Sequence, residues 1–306
     1  MKKRVVIKRK QFAWKKLVFL SLIIVSSCVG VNRLLSQTSS KNQQQPQASQ
    51  AQIIPTAKQQ QVVALQQQML DSLTKMNQHA AMSEELPKQF QGRTIYQAKV
   101  NKNAKVIALT FDDGPWTKTT TEILDILQQN NIKATFFVVG KMVQEHPELT
   151  QRIVVDGHAI ANHTWSHHYH RFNRATAAKE IDGTTDIIYK TTGVKTNLFR
   201  PPGGFLNNGL ATYAKEKDYA VMMWSVVSAD TDPRAKYQAF VNNVLKGAKP
   251  GGIVLMHDGG GDRRRTVEAL PKIISGLRDK GYTFVTIPEL LNMEDGQSGN
   301  PELSSQ

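Results

Sequence analysis

From Arg93 onward, short apolar runs alternate with stretches of helical periodicity, and this alternation constrains the fold more than any other feature of the chain. The runs are 106–111, 134–139, 158–161, 197–199, 220–224, 253–256 and 283–287. Between them lie helix signals: Thr119 and Glu122 are spaced as a capping box ahead of Ile123, Leu124 and Leu127. Asp262 stands where it could cap a helix that turns Val267, Leu270, Ile274 and Leu277 inward and stops at Gly281. Strand and helix repeating seven times predict a parallel sheet with helices outside it, as an open doubly wound sheet or as a barrel.

The positions of the reactive residues favour the barrel. Asp112 and Asp113 follow the first run, His163 and His167 the third, Arg200 the fourth, Asp230 the fifth, and His257 with Asp258 the sixth. A barrel gathers the carboxyl ends of its strands on one face, whereas an open sheet spreads them along a crevice. A barrel with an irregular number of parallel strands, about seven, therefore fits better than an open sheet.

Two of these residues pose a physical problem. Adjacent carboxylates at the end of a buried strand repel each other, and desolvation worsens the repulsion, so positive charge is expected beside Asp112 and Asp113. The segment Asn-His-Thr-Trp-Ser-His, 162–167, offers two imidazoles four residues apart, which on a helical turn face the same way. Two neutral imidazoles and one carboxylate suit a divalent metal and leave coordination positions open. One aspartate then binds the cation, and its charge lets the other stay ionised. Each element alone is ordinary: six of the eight histidines lie between 146 and 170, as in a solvated loop, and Asp, Gly and Pro are turn residues.

The combination is distinctive. T-F-D-D-G-P, H-T-W-S-H, R-P-P-G-G and L-M-H-D, in that order, resemble the motifs of the polysaccharide deacetylases, the NodB-type carbohydrate esterases, over roughly 93–293. The resemblance implies a distorted (β/α) barrel acting on an N-acetylated or O-acetylated sugar polymer. It implies that Asp113, His163 and His167 hold one divalent metal ion, zinc in the first place, with cobalt, nickel or manganese as alternatives. Asp112 would be the general base, in contact with Arg200, and His257 the acid, oriented by Asp230. The backbone N–H of Gly203 would stabilise the oxyanion, and Leu255 would sit beside the acetyl methyl, although on its own it reads as a core residue.

The chain also departs from the family pattern. Where the family has Trp-Ser-x-Asp-x-x-Asp-Trp, this sequence puts Val227 at the first aspartate and Thr231 at the last tryptophan, so one wall of the acetyl pocket is expected to differ. His168 and His170 match no family role and read as exposed loop histidines. Arg263, Arg264 and Arg265 read as a solvated helix start rather than as contacts to an anionic polymer.

Net charge misleads here. Eight basic residues within 1–16 account for +8 of the net +14, leaving only +6 for the rest of the chain, so the basic balance does not point to nucleic acid. That head precedes the apolar run 17–31, and the pair reads as an export signal or membrane anchor over 1–35. The single cysteine, Cys28, stands in Val-Ser-Ser-Cys, which resembles a bacterial lipobox; the alternative is a small residue inside an uncleaved anchor. With one cysteine the fold has no internal disulfide. Residues 36–92 are rich in Gln, Ser, Ala and Asn and read as a tether, with helical spacing over 64–82. A catalytic domain over 93–293 and a disordered tail over 294–306 complete the expected organisation. The expected partners are an acetylated glycan and the cytoplasmic membrane, the latter through the N-terminal segment, with the catalytic domain outside it and no oligomer implied.

Removal of acetyl groups from N-acetylated amino sugars is the expected activity, and four rival readings remain. An O-acetyl esterase acting on xylan-like glycans would use the same metal and base, so only substrate screening separates it. A glycan-binding barrel that has lost catalysis leaves the intact Asp112, Asp113, His163, His167, Arg200 and His257 without a purpose. A two-carboxylate glycosidase needs its acids about 5 to 9.5 Å apart across the sugar, which adjacent aspartates fit poorly. A 2-His-1-carboxylate iron site accounts for neither Asp112 nor His257.

Overall fold

The strands are buried on both faces, as a parallel sheet between an inner core and a helical layer requires. The computed structural model describes residues 86–298 except 102, together with 58, 60–67, 70, 71 and 74, all within one compact unit, Ala57–Gln306. Its strands are β1 (Thr94–Ile95), β2 (Val106–Asp112), β3 (Thr135–Val138), β4 (Ala159–Asn162), β5 (Leu198–Phe199), β6 (Ala220–Met222), β7 (Val226–Val227), β8 (Gly252–His257) and β9 (Thr283–Phe284). The helices are α1 (Thr119–Gln129), α2 (Gly140–Glu145), α3 (Pro147–Val155), α4 (Arg174–Thr192), α5 (Leu210–Glu216), α6 (Tyr237–Gly247), α7 (Arg264–Asp279) and α8 (Ile287–Ser298).

Every strand pairing is parallel, in the order β1-β6-β5-β4-β3-β2-β8-β7, with β9 alongside the start of β2. No pairing joins β1 to β7 among the described residues, so the barrel is open there. The connection 223–225 crosses the gap instead: Met223 N donates to Ile95 O (2.7 Å) and Ser225 N to Ile253 O (3.1 Å). The expected distorted barrel is thus observed, with two strands more than the seven runs. β1 and β7 are two residues long, and neither stands in an apolar run of its own.

Alternation along β2 builds two cores. Val106 and Ala108 face the lumen with Phe137, Ala161, Met222 and Ile253. Ile107, Leu109 and Phe111 face outward onto Ile123, Leu124 and Leu127 of α1 and Leu270, Ile274 and Leu277 of α7. The inner cluster also includes Leu86, Phe90, Leu290 and Leu291, so the folded domain begins before 93. The sparse apolar residues of that polar stretch are anchors rather than linker. At the other end, α8 continues past 293, and Glu294 Oε2 accepts from Lys99 N (2.7 Å), so the tail cannot start at 294.

The expected capping box does not form. Thr119 is already inside α1, whose N-cap is Lys118, and its hydroxyl donates to Asp258 O (2.6 Å). Asp262 does serve the start of α7, accepting from Arg264 N (3.1 Å). Within 64–82 the described residues are helical, with Leu65 and Leu70 exposed. The apolar run, Cys28, most of the tether and 299–306 lie outside the described residues, among which no helix is long and apolar enough to cross a membrane.

Candidate active site

Strict alternation would send Asp112 and Asp113 to opposite faces of β2. Asp112 follows Thr110 into the lumen, and Asp113 adopts a left-handed backbone (φ 77°), which returns its carboxylate to the same pole. His163 Nε2 lies 3.8 Å from Asp112 Oδ2 and 3.4 Å from Asp113 Oδ1, so both carboxylates meet one imidazole.

The two aspartates then diverge in their partners. Asp112 Oδ1 accepts from Arg200 Nη1 at 2.6 Å. Arg200 is fully buried and also donates to Thr110 Oγ1 (2.9 Å), Met222 O (2.9 Å) and Met223 O (3.1 Å), with its guanidinium 3.9 Å from the Phe137 ring centroid. Such a fork fixes the carboxylate it serves. Asp113 Oδ1 is instead buried without a hydrogen bond, and the Nε2 atoms of His167 (2.9 Å) and His163 (3.4 Å) face it. Burial alone would raise the Asp113 carboxyl, but hydrogen bonds and charge from His163 and His167, when these imidazoles carry a proton on Nε2, more than reverse this and hold it well below the usual carboxylate range.

The histidines converge by a loop rather than by the helical turn expected from their spacing. Thr164 (φ 69°) and His167 (φ 55°) are left-handed, which the spacing does not announce. Asn162, the last residue of β4, accepts from Thr164 N (2.9 Å) and donates to Ile181 O and Thr185 Oγ1 of α4. Glu180, also on α4, accepts from Ser166 N (2.8 Å) and Ser166 Oγ (2.6 Å). The imidazole of His163 is set by its Nδ1, 2.7 Å from Arg200 O. A carbonyl only accepts, so Nδ1 carries the proton, and in the neutral imidazole that a metal ligand must be, Nε2 presents a lone pair toward Asp113.

One ligand atom each from Asp113, His163 and His167 lies within 4.8 Å of the other two. Two nitrogens, one carboxylate oxygen left without a hydrogen bond, and a tautomer locked with its lone pair inward fit a divalent ion of the zinc type.

Across the β2–β8 pairing, His257 is in register with Asp112. Its Nδ1 is 2.8 Å from Asp230 Oδ1, and its backbone N donates to Asp230 Oδ2 (2.8 Å). Thr266 Oγ1 also donates to Asp230 Oδ2 (2.9 Å), while the hydroxyl of Ser228 lies 3.1 Å from Asp230 Oδ1. Burial alone would lower the imidazole of His257, but the hydrogen bond and charge of Asp230 outweigh it and raise the group above its ordinary value, with Asp112 and Asp113 adding to the effect. Burial would likewise raise Asp230, and the same hydrogen bond holds it down. Arg200 and Asp230 thus contact Asp112 and His257, the residues with which the family resemblance pairs them. Asp230 follows β7, not the run 220–224, because the chain crosses the barrel gap between them.

Gly203 has a positive φ (61°), and a Cβ there would lie 2.8 Å from Phe205 Cε2 and 3.0 Å from Tyr169 Cε1. Leu255 lies two residues before His257 on β8, in register with Val227, which is about half exposed; Thr231 is exposed. His168 and His170 are exposed loop residues, as expected.

The reading of Arg263 as solvated is overturned. It is buried, donating to Gly259 O (2.7 Å), Gly260 O (3.3 Å) and Asp230 O (3.4 Å), and its Nη2 is 3.9 Å from Asp113 Oδ2. Arg264 pairs with Asp262 in solvent, and Arg265 bonds Pro233 O and Ala235 O. Asp258, given no role from sequence, is buried against Thr120 Oγ1 (2.6 Å), and burial, then Asp113 and Asp112, push its carboxyl up to about 7. A cavity of about 510 Å³ lies at the opposite pole, lined by Leu86, Ala159, Leu198 and Leu291, away from all these residues.

Residues 99–222 match the sequence profile of the family described as Polysaccharide deacetylase. A peptidoglycan-N-acetylglucosamine deacetylase of Bacillus cereus is 43% identical over 198 residues, covering 63% of this chain and 91% of that protein. Among solved structures, a peptidoglycan N-acetylglucosamine deacetylase in complex with 4-naphthalen-1-yl-N-oxidanyl-benzamide superposes with a TM-score of 0.61 at 35% identity, covering 66% of this chain and 94% of the other. A CE4 family pseudoenzyme from Bacillus anthracis superposes with a TM-score of 0.59 at 29% identity, covering 65% and 68%.

Proposed function

Because the chain belongs to the polysaccharide deacetylase family, we propose that it hydrolyses N-acetyl groups from the amino sugars of a cell-wall glycan, peptidoglycan or a chitin-like polymer, in a divalent-metal-dependent reaction. The observation that carries this reading is the separation of roles between adjacent carboxylates: Asp112 is held by Arg200, and Asp113 is left to two imidazoles. Asp113, His163 and His167 would hold the ion, with zinc the best match to two nitrogens and one oxygen. The chemistry such an ion supplies when bound is polarisation of the acetyl carbonyl and a lowered pKa for water.

Asp112 takes a proton from the attacking water, whose oxygen adds to the acetyl carbon. Arg200 aims the Asp112 carboxylate through their 2.6 Å hydrogen bond. The backbone N–H of Gly203 is the residue-level candidate for stabilising the developing oxyanion, and Leu255, beside His257, for contacting the methyl. His257, kept protonated by Asp230, delivers its proton to the sugar nitrogen as the C–N bond breaks, giving acetate and a free amine.

The sequence of 1–35 supports export and tethering outside the cytoplasmic membrane, with 36 to about 85 as the tether. Membrane fractionation of wild type and Cys28→Ala tests the anchor, and equal retention of both removes the lipidation reading.

For the reaction, acetate release is compared on N-acetylglucosamine oligomers, peptidoglycan and acetylated xylan. Release from the amino-sugar polymers, lost in Asp112→Asn while metal stays bound, is the expected result. Release from xylan alone would make the protein an O-acetyl esterase, a shift that Val227 and Thr231 would help explain. No release from any would align it with the pseudoenzyme.

A further inference from the structure

The mechanism leaves unused a group of aromatic side chains beside the metal ligands. Tyr169 is 56% and Phe205 46% exposed, although both are large apolar rings. They meet edge to face, with centroids 5.9 Å apart, and Tyr169 meets His167 in the same way at 5.2 Å. The three rings therefore form a continuous rim that begins at a metal ligand and runs outward.

The backbone is shaped to allow it. Gly203 and Gly204 have positive φ (61° and 71°), and the rings of Tyr169 and Phe205 fill the space that a side chain at 203 would need. A Cβ on Gly204 would lie 2.8 Å from Trp224 Cη2, so a third ring closes the inner side of the same turn. Edge-to-face contact covers little of either outer ring, and both remain about half exposed. An open aromatic face offers flat apolar contact to the C–H face of a pyranose.

We propose that Tyr169 and Phe205 form a stacking subsite for the sugar residue next to the one being deacetylated. This rests on the glycan-deacetylase reading and deepens it. The acetylated sugar sits over Asp113, His163 and His167, and its neighbour in the polymer lies along the rim leading away from His167. The subsite makes the protein a polymer enzyme, since a single sugar cannot reach both places.

The test compares the full chain with Tyr169→Ala, Phe205→Ala and Tyr169→Phe. Acetate release is measured on N-acetylglucosamine monomer and hexamer, and hexamer binding is titrated in parallel. The ratio of kcat/KM for hexamer over monomer should fall about fivefold in each alanine variant and hold in Tyr169→Phe, because stacking needs the ring and not the hydroxyl. Hexamer affinity should fall by a similar factor. An unchanged ratio and affinity in both alanine variants overturns the subsite. Equal losses on monomer and hexamer also overturn it, because the rings would then only support His167. If wild type binds hexamer through these rings yet releases no acetate, the deacetylase reading fails and the subsite stands; if it neither binds nor reacts, both fail.

Discussion

Replacing Arg200 with methionine removes a fully buried cation while keeping most of its volume. The variant strands the Asp112 carboxylate, which loses its 2.6 Å partner, and orphans the carbonyls of Met222 and Met223 in the same dry pocket. Breaking a buried ion pair from one side costs about 3 to 5 kcal/mol, mostly because the remaining charge is uncompensated. That is a large part of the roughly 5 to 15 kcal/mol by which a domain is stable. Urea unfolding of the whole chain, followed by tryptophan fluorescence, should show a midpoint lower by roughly 2 M, taking a slope of about 2 kcal/mol per M. Adding Asp112→Asn should recover part of the loss, because an amide needs no counter-ion. A single variant within about 1 kcal/mol of wild type, or a double variant whose losses simply add, would refute the claim that Arg200 exists to hold the Asp112 carboxylate in place.

Two further outcomes follow from particular contacts. Asp230 raises the His257 pKa, and the acid must carry its proton to act, so Asp230→Asn should move the alkaline limb of the kcat/KM profile to lower pH; an unmoved limb would remove His257 as the acid. In stability terms the same pair contributes fully below the unfolded histidine value of about 6.5 and is lost as pH rises through the raised folded value, so the Asp230→Asn deficit, read by urea unfolding, should shrink at high pH. Gly251→Ala should destabilise by at least about 1 to 3 kcal/mol, since its φ is 72° and a Cβ would lie 2.1 Å from Ala98 O; a midpoint equal to wild type would contradict this.

The strands were legible wherever they ran three residues or more, because a buried parallel strand must be continuously apolar. β1 and β7, no shorter than β5 and β9, escaped because neither stands in an apolar run of its own. The candidate metal triad was legible as residue types, but its geometry was not. Spacing suggested a helical turn for His163 and His167, and the structure uses left-handed Thr164 and His167 instead, pinned by Asn162 and Glu180. Arg263 shows the limit of residue type as a guide: three consecutive arginines are alike on paper, and only the folded loop carbonyls of Gly259 and Gly260 decide which one is buried. Leu86 and Phe90 were hidden for the opposite reason, as two apolar anchors in a polar stretch.

The most direct measurement is acetate release from N-acetylglucosamine hexamer by the full chain as purified, after chelation, and after zinc is restored, with metal content determined at each stage. The account predicts that activity disappears with the metal, returns with about one zinc per chain, and that Asp113→Ala neither binds the ion nor recovers. Full activity after the metal is gone would contradict the assignment of Asp113, His163 and His167.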